Sequence, residues 1–461
     1  MNKNIIMMTD SYKISHHKQY PPGTERVYSY FEARTSEDKV FPETVFFGLQ
    51  YYLKEYLKGK VVTKEYLEEA DSIFSAHFQN PNLFNRKGWQ YILDRHEGKL
   101  PLSIKAVPEG TIVPRGNVLM TIENTDPECY WLTNYIETIL VQAWYGSTVA
   151  TQSRDMKMVL LNALDIGGDP LTVDFKLHDF GFRGVSSIET AGVGGAAHLV
   201  SFKGTDNIAG LLVARDYYDC PMAGFSIPAA EHSTITSWGK ENEKDAYANM
   251  LEQYPEGMVA VVSDSYDIFK ACKDIWGTQL KNKVLERNGT TIIRPDSGNP
   301  MQIIPTILDI LGKTFGYTVN KKGYKVLNPK VRVIQGDGID MKTMNEIIRV
   351  MMKVRWSPDN IAFGSGGGLL QKMNRDTCNF AFKCSSITVD KQERDVFKQP
   401  ITQNKKNSKK GRFKLVYNDA DKLITVPATD SREDELIEVF KNGEILVEQN
   451  FEEIRTRAFV E

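Results

Sequence analysis

Residues 291–312 read TIIRPDSGNPMQIIPTILDILG. A short β-branched run ends in an arginine, a cluster of turn formers follows, and apolar residues then recur at helical spacing. The parse is strand, loop, helix. Five other stretches repeat it: VDFKLHDFGFRG (173–184), GFSIPAAEHST (224–234), MVAVVSDSYDIFKACKDIW (258–276), VRVIQGDGIDMKTMNEIIRVMM (331–352) and NIAFGSGGGLLQKM (360–373). Each unit takes roughly 30–50 residues, the length of a strand-loop-helix unit in a parallel sheet. Six units in series, each with polar residues after its strand, favour an α/β barrel of the (β/α) kind over an open doubly wound sheet. Periodicity alone leaves closure open.

Outside this region the pattern changes. ETVFFGLQYYLKEYLKGK and VTKEYLEEADSIFSAHF have helical spacing, and LPLSIKAVPEGTIVPRGNVLMTIENT (101–125 with its leading Leu100) reads as a β-meander cut by turns. CYWLTNYIETILVQAWYGSTVATQSRDMKMVLLNAL is a long helical passage. After residue 380, GRFKLVYNDADKLITV and LIEVFKNGEILVEQ are hairpins with NDAD and KNGE turns, followed by a short helix. The expected division is an N-terminal α+β region, 1–150, a barrel, 151–375, and a C-terminal segment, 376–461, that returns to the first region.

Composition excludes several classes. In 461 residues, Lys+Arg 57 against Asp+Glu 59 gives a net charge of −2, so no global basic field points to nucleic acid or an anionic membrane. Five scattered cysteines without a CxxC pair argue against a disulfide framework and a cysteine zinc site, and fit a reducing, cytoplasmic setting. No window approaches 18 uninterrupted apolar residues, and no signal peptide is evident. The chain has neither GxxxxGK[ST] nor GxGxxG, which disfavours a P-loop and hydride chemistry on a Rossmann domain.

The strand ends carry the chemistry. HDFGFRG offers His178, Asp179, Phe180 and Arg183; FKGTD offers Asp206; PAAEHST offers Glu231 and His232. SDSYD adds Asp264 and Asp267, IRPDSG adds Arg294 and Asp296, QGDG adds Gly336 and Asp337, and GSGGG adds Gly366 to Gly368. Arginines and glycine loops suit phosphates, and carboxylates suit sugar hydroxyls. Plainer readings stand beside these. Asp296 or Asp337 could cap a helix, the glycines could make a tight turn, and His232 could be a turn residue satisfied by Glu231 ahead of a Ser233 or Thr234 cap. The basic run NKKNSKKGR (404–412) is either a solvated turn or an arm closing over phosphates.

Taken together, TDSYKISHHKQYPPGTERVYSYFE, NTDPECYWLTNYIETILVQAWY, KLHDFGFRGVSSIETAG, FKGTDNIAG, PAAEHSTITSWGKENEKDA, VSDSYDIF, IIRPDSGNP, RVIQGDG and NIAFGSGGGLLQK resemble the nicotinamide phosphoribosyltransferase family of type II phosphoribosyltransferases, from about residue 5 to FEEIRTRA near the C-terminus. The resemblance implies an incomplete α/β barrel with a flanking α+β domain formed by both chain ends. It also implies a head-to-tail homodimer with active sites at the subunit interface. The implied reaction joins nicotinamide to 5-phosphoribosyl-1-pyrophosphate (PRPP), giving nicotinamide mononucleotide and pyrophosphate in NAD salvage, with Mg²⁺ required and ATP as co-substrate.

Carried over by position, Phe180 and the other subunit's Tyr12 would sandwich the pyridine ring, and Asp206 would accept from the amide while repelling nicotinate. Arg183 and Arg294 would hold pyrophosphate; Asp296, Gly336 and Asp337 the ribose; Gly366, Gly367 and Arg375, on the helix just beyond, the 5′-phosphate. His232 would take the γ-phosphate of ATP, oriented by Glu231 and Asp264, and Lys383, Lys398 and Lys406 would lie near phosphates. No residue is assigned as a metal ligand. Ala381 stands where animal relatives have a serine, and EARTSEDKVFPETVFFG lacks a surface insertion. The alternatives are the same fold acting on nicotinate, or a catalytically silent nucleotide-binding protein.

Overall fold

A computed structural model describes residues 3–35, 41–401 and 408–459. The chain divides into two compact units. One comprises Gln152–Leu212 and Pro221–Lys372; the other comprises Met1–Thr151, Val213–Cys220 and Met373–Phe459.

In the first of these, strands Leu177–Asp179, Gly204–Thr205, Glu256–Val262, Asn288–Arg294, Val331–Gln335 and Ile361–Ser365 form one parallel sheet. Each pairs with its neighbour in the chain, except that Gly204–Thr205 and Glu256–Val262 are the two edges. The last strand pairs with the first, Phe363 opposite Leu177 and Ser365 opposite Asp179. The remaining gap is bridged by residues 225–230, through parallel bridges Gly204–Phe225 and Ala229–Ala260. Seven segments therefore close a ring one short of an eight-stranded barrel. GFSIPAAEHST, read from sequence as a full strand, makes isolated bridges only; Pro228 lacks the N–H that a regular ladder needs. The two-residue strand at Gly204–Thr205 is too short to show a period.

Lys176 clasps the ring where the first and last strands meet. Its buried ammonium donates to the carbonyls of Pro358, Asp359 and Ile361 at 3.0–3.1 Å. Burial pulls it down to about 8.

The barrel interior explains where the site lies. Ala260, Ile292 and Ile334 form a buried layer, against which Phe180, Ile227 and Ala362 pack. Side chains on one face of a strand recur every second residue. The next inward positions towards the C-terminal ends are thus Arg294, Gly336 and Gly364. A charged side chain and two glycines cap an apolar plug.

The other unit draws on both chain ends. Its seven-stranded antiparallel sheet runs in the order Gln392–Asp395, Phe380–Val389, Thr24–Ala33, Val118–Asn124, Leu102–Ala106, Ile437–Lys441, Glu444–Ile445. Val213–Cys220 joins this unit although it continues the helix Ile208–Tyr218. The buried Tyr218 hydroxyl donates to the buried Glu109 carboxylate at 3.0 Å, which also accepts from the N–H groups of Gly48 and Gln50. Two sequence expectations need correction. Ile112–Pro114 leaves the meander to pair with Glu43–Val45, and the long helical passage breaks into Leu132–Tyr135, Glu137–Leu140 and Ala143–Gly167. No helix among the described residues is long and apolar enough to cross a membrane.

Candidate active site

Every rim residue singled out in the barrel lies at or just beyond the C-terminal end of a parallel segment, the end at which α/β barrels carry chemistry. A cleft of about 850 Å³ opens there. Phe180, Arg183, Asp206, Glu231 and Arg294 line it, with Phe182, Ile188 and Ala230 supplying apolar wall.

Phe180 is seated by glycine. A Cβ built on Gly364 would stand 1.9 Å from Phe180 Cε2, and one on Gly336 would stand 3.2 Å from both Phe180 Cε2 and the Arg294 guanidinium nitrogens. The ring therefore rests on bare backbone, and Arg294 lies over it with its guanidinium carbon 5.6 Å from the centroid. Arg294 also donates to Asp296 Oδ1, from Nη2 at 2.8 Å and from Nε at 3.1 Å. Asp296 is thus engaged with the arginine and is not a helix cap. Asn299 caps the helix Pro300–Phe315 instead, and Asp340 rather than Asp337 caps Met341–Lys353. Asp337 is exposed.

Asp206 is exposed on the cleft wall, and its Oδ1 accepts from the Ser226 hydroxyl. Behind it, burial holds the His178 imidazole below its ordinary range, against the pull of the Asp206 carboxylate. Gly366 and Gly367 follow the Ile361–Ser365 strand, and the helix Gly367–Leu370 lasts one turn. Its dipole is correspondingly small, so anion affinity here would rest on individual N–H groups. Gln371 ties this loop to the arginine loop by accepting from Ser186 N–H at 3.1 Å.

His232 begins the short helix His232–Thr236, and its side chain is 48% exposed. Its Nε2 lies 3.6 Å from both Asp264 Oδ1 and Asp296 Oδ2, while Nδ1 faces Ser265 Oγ at 3.2 Å. Asp264 Oδ2 accepts from Asp296 N–H, Ser297 N–H and Ser297 Oγ at 2.6–3.0 Å; Oδ1 is buried and has no hydrogen-bond partner.

Glu231, expected beside the imidazole, is turned elsewhere. It is the N-cap of that helix, accepting from the Ser233 hydroxyl while its own N–H donates to Thr234 Oγ1. Neither Ser233 nor Thr234 is the cap, and Asp296 takes the place foreseen for Glu231. The helix suggested by TSWGKENEKDAYANMLEQY is interrupted at Gly239, φ 86°, and resumes at Glu243.

The remaining predicted residues belong to the other unit. Tyr12 is 59% exposed, with its ring edge against His16 and Lys13 Nζ 5.4 Å from the centroid. Arg375 is not on a helix: the helix ends at Leu370, and Arg375 sits in a turn beside Asp376 at 3.7 Å. Lys383 lies on the strand Phe380–Val389, where burial lowers its ammonium. Lys398 N–H donates to Ser408 Oγ, Ala381 is buried opposite Glu32, and Lys406 lies outside the described residues.

Sequence reasoning passed over Gly364, Ser226, Ser265 and Asn207. Gly364 carried a usable signal, because glycine two residues beyond an inward-facing strand position marks close approach by another group.

The chain matches the nicotinate phosphoribosyltransferase (NAPRTase) family over residues 175–444 and the nicotinamide phosphoribosyltransferase N-terminal domain over residues 4–104. It is 48% identical to a nicotinamide phosphoribosyltransferase of Xanthomonas campestris, with 99% of this chain and 98% of the relative aligned. This chain belongs to the nicotinamide phosphoribosyltransferase family. A second family member, from Acinetobacter baylyi, is 32% identical over 98% of this chain and 97% of its own. Among solved structures, the fold is shared with a nicotinate-nucleotide pyrophosphorylase from Pyrococcus furiosus (TM-score 0.64, 18% identity, 99% and 95% of the two chains). It is also shared with human nicotinic acid phosphoribosyltransferase (TM-score 0.56, 14% identity, 98% and 92%). The NAPRTase-family match spans every rim residue from Phe180 to Gly367.

Proposed function

We propose that the protein transfers the 5-phosphoribosyl group of PRPP to nicotinamide, giving nicotinamide mononucleotide and pyrophosphate in NAD salvage. One observation carries this reading: an aromatic platform, Phe180, shares a cleft with two arginines, Arg183 and Arg294, and a carboxylate, Asp206. A flat heterocycle stacked on Phe180 is held in line with a phosphorylated sugar anchored by the arginines. Departure of pyrophosphate leaves positive charge on the ribose C1, and the ring nitrogen captures it. The arginines neutralise the leaving group, which is the main electrostatic task.

Asp206 sets the choice of base. With Oδ1 taken by Ser226, its other oxygen accepts an amide hydrogen, and its charge repels the carboxylate of nicotinate. Asp296, Gly336 and Asp337 would hold the ribose, and Gly366 and Gly367 the 5′-phosphate.

His232 would be the phosphoryl acceptor from ATP. Carboxylates on the Nε2 side favour the Nε2–H tautomer, leaving the Nδ1 lone pair as nucleophile, and they stabilise the cation that forms. Asp264 would hold Mg²⁺, because its Oδ1 is a buried carboxylate oxygen without a hydrogen-bond partner. Such an ion would supply positive charge against the departing pyrophosphate.

A homodimer would complete the site, with Tyr12 and Arg375 contributed by a second copy and Lys383, Lys398 and Lys406 near phosphates. A competition assay with equal nicotinamide and nicotinate tests the proposal. Nicotinamide mononucleotide should dominate; a majority of nicotinate product would overturn the Asp206 argument.

A further inference from the structure

Asp179 ends the strand Leu177–Asp179 and is completely buried, yet no step above uses it. Its Oδ1 accepts from Gly181 N–H at 2.7 Å, and its Oδ2 from the Asn207 side-chain amide at 2.8 Å. Its main-chain carbonyl accepts from Asp206 N–H at 2.9 Å. Asn207 is fixed in turn: its N–H donates to Thr205 Oγ1, and its amide donates also to the Ala191 carbonyl, both at 2.9 Å.

Two loops thus converge on one carboxylate. The loop after Asp179 carries Phe180 and Arg183; the loop after Thr205 carries Asp206. A carboxylate presents acceptors on both oxygens and no donor, so two N–H groups arriving from different loops are both satisfied by it, whereas an amide satisfies one and opposes the other. Burial pushes the carboxyl up to about 6 against these hydrogen bonds. An ionised group held there at neutral pH costs stability that an apolar side chain would not.

Resting on the proposed role of the cleft, we infer that Asp179 is a positioning residue which, through Gly181 and Asn207, fixes the spacing between the Phe180 platform and the Asp206 acceptor. It thereby sets affinity and selectivity for an uncharged heteroaromatic amide, while Arg294, Gly366 and Gly367, the phosphate-holding groups at the ends of other strands, stay in place.

The test uses the full chain as wild type, Asp179→Asn, Asn207→Ala and the double variant. Nicotinamide and PRPP are varied separately, thermal midpoints are recorded, and nicotinamide binding is titrated calorimetrically without PRPP. Each single variant should raise nicotinamide KM and Kd by about tenfold or more while PRPP KM stays within about threefold. The nicotinamide-over-nicotinate preference should fall in both. The double variant should be no worse than the weaker single, because both act through one contact.

Equal rises in both KM values, in step with lost thermal stability, would reduce Asp179 to a structural residue and overturn the inference. So would unchanged nicotinamide affinity in a folded Asn207→Ala protein. A wild type that binds nicotinamide but does not turn it over would strike the proposed reaction alone, since the calorimetric ratios still read the positioning role.

Discussion

Gly364→Ala puts the seating of Phe180 under the most direct strain. The new methyl would begin 1.9 Å from Phe180 Cε2, 2.2 Å from Cδ2 and 2.7 Å from Cζ, well inside contact distance. The ring cannot retreat downward, because the layer of Ala260, Ile292 and Ile334 is filled. Sideways movement meets Gly336 and the Arg294 guanidinium. It must tilt into the cleft, where the base would stack. Overpacking of this kind costs about 1–3 kcal/mol. If the cost falls on base binding, at about 1.4 kcal/mol per decade, nicotinamide KM rises by about 5- to 150-fold.

Steady-state kinetics on four proteins, wild type, Gly364→Ala, Phe180→Ala and the double variant, read this directly. Phe180→Ala alone should weaken nicotinamide. Adding Gly364→Ala to it should change little, since the clashing ring is gone. Additive losses, or a Gly364→Ala protein with wild-type KM for nicotinamide, would refute the reasoning that the ring is seated on the bare backbone.

Asp206→Asn should lower the nicotinamide-over-nicotinate ratio of kcat/KM by about tenfold or more by removing the repelling charge; an unchanged ratio places selectivity elsewhere. His232→Ala should abolish stimulation by ATP while leaving ATP-independent transfer; equal activity with and without ATP in both proteins would dispose of the coupling. The Asp179 carboxyl also makes stability depend on pH. Its value of about 6 in the folded protein lies above the ordinary 3.8, so the folded state keeps a proton that the unfolded chain releases, and stability falls as pH rises from about 4 to about 6. The cost, near 3 kcal/mol at about 1.4 kcal/mol per pH unit, is fully present above pH 6. The urea midpoint of Asp179→Asn relative to wild type should therefore be higher at pH 7.5 than at pH 4.5; a difference independent of pH would contradict it.

Much of the barrel was legible because a buried parallel strand writes itself as a short β-branched run. Asn288–Arg294, Val331–Gln335 and Ile361–Ser365 each end at the polar or glycine-rich clusters RPDSG, QGDG and SGGG. Closure was not legible. It depends on Phe363 meeting Leu177 across nearly the whole unit and on two isolated bridges around Pro228, and neither leaves a period in the sequence. The rim residues could be named from their positions after strands, but not their partners. Glu231 and His232 are adjacent in the chain and face different neighbours, because helix capping claims the glutamate. Asp264 and Asp296 reach the imidazole from neighbouring strands, each two residues beyond the paired Val262 and Arg294, a register that the sequence does not spell out. Asp179 was visible as a residue but not as a junction, since Gly181 and Asn207 lie on different loops.

Determining a crystal structure with nicotinamide bound tests the central claim most directly. The pyridine ring should stack on Phe180, with the amide nitrogen within hydrogen-bond distance of Asp206. Nicotinamide bound away from that cleft, or with its amide turned from Asp206, would contradict it.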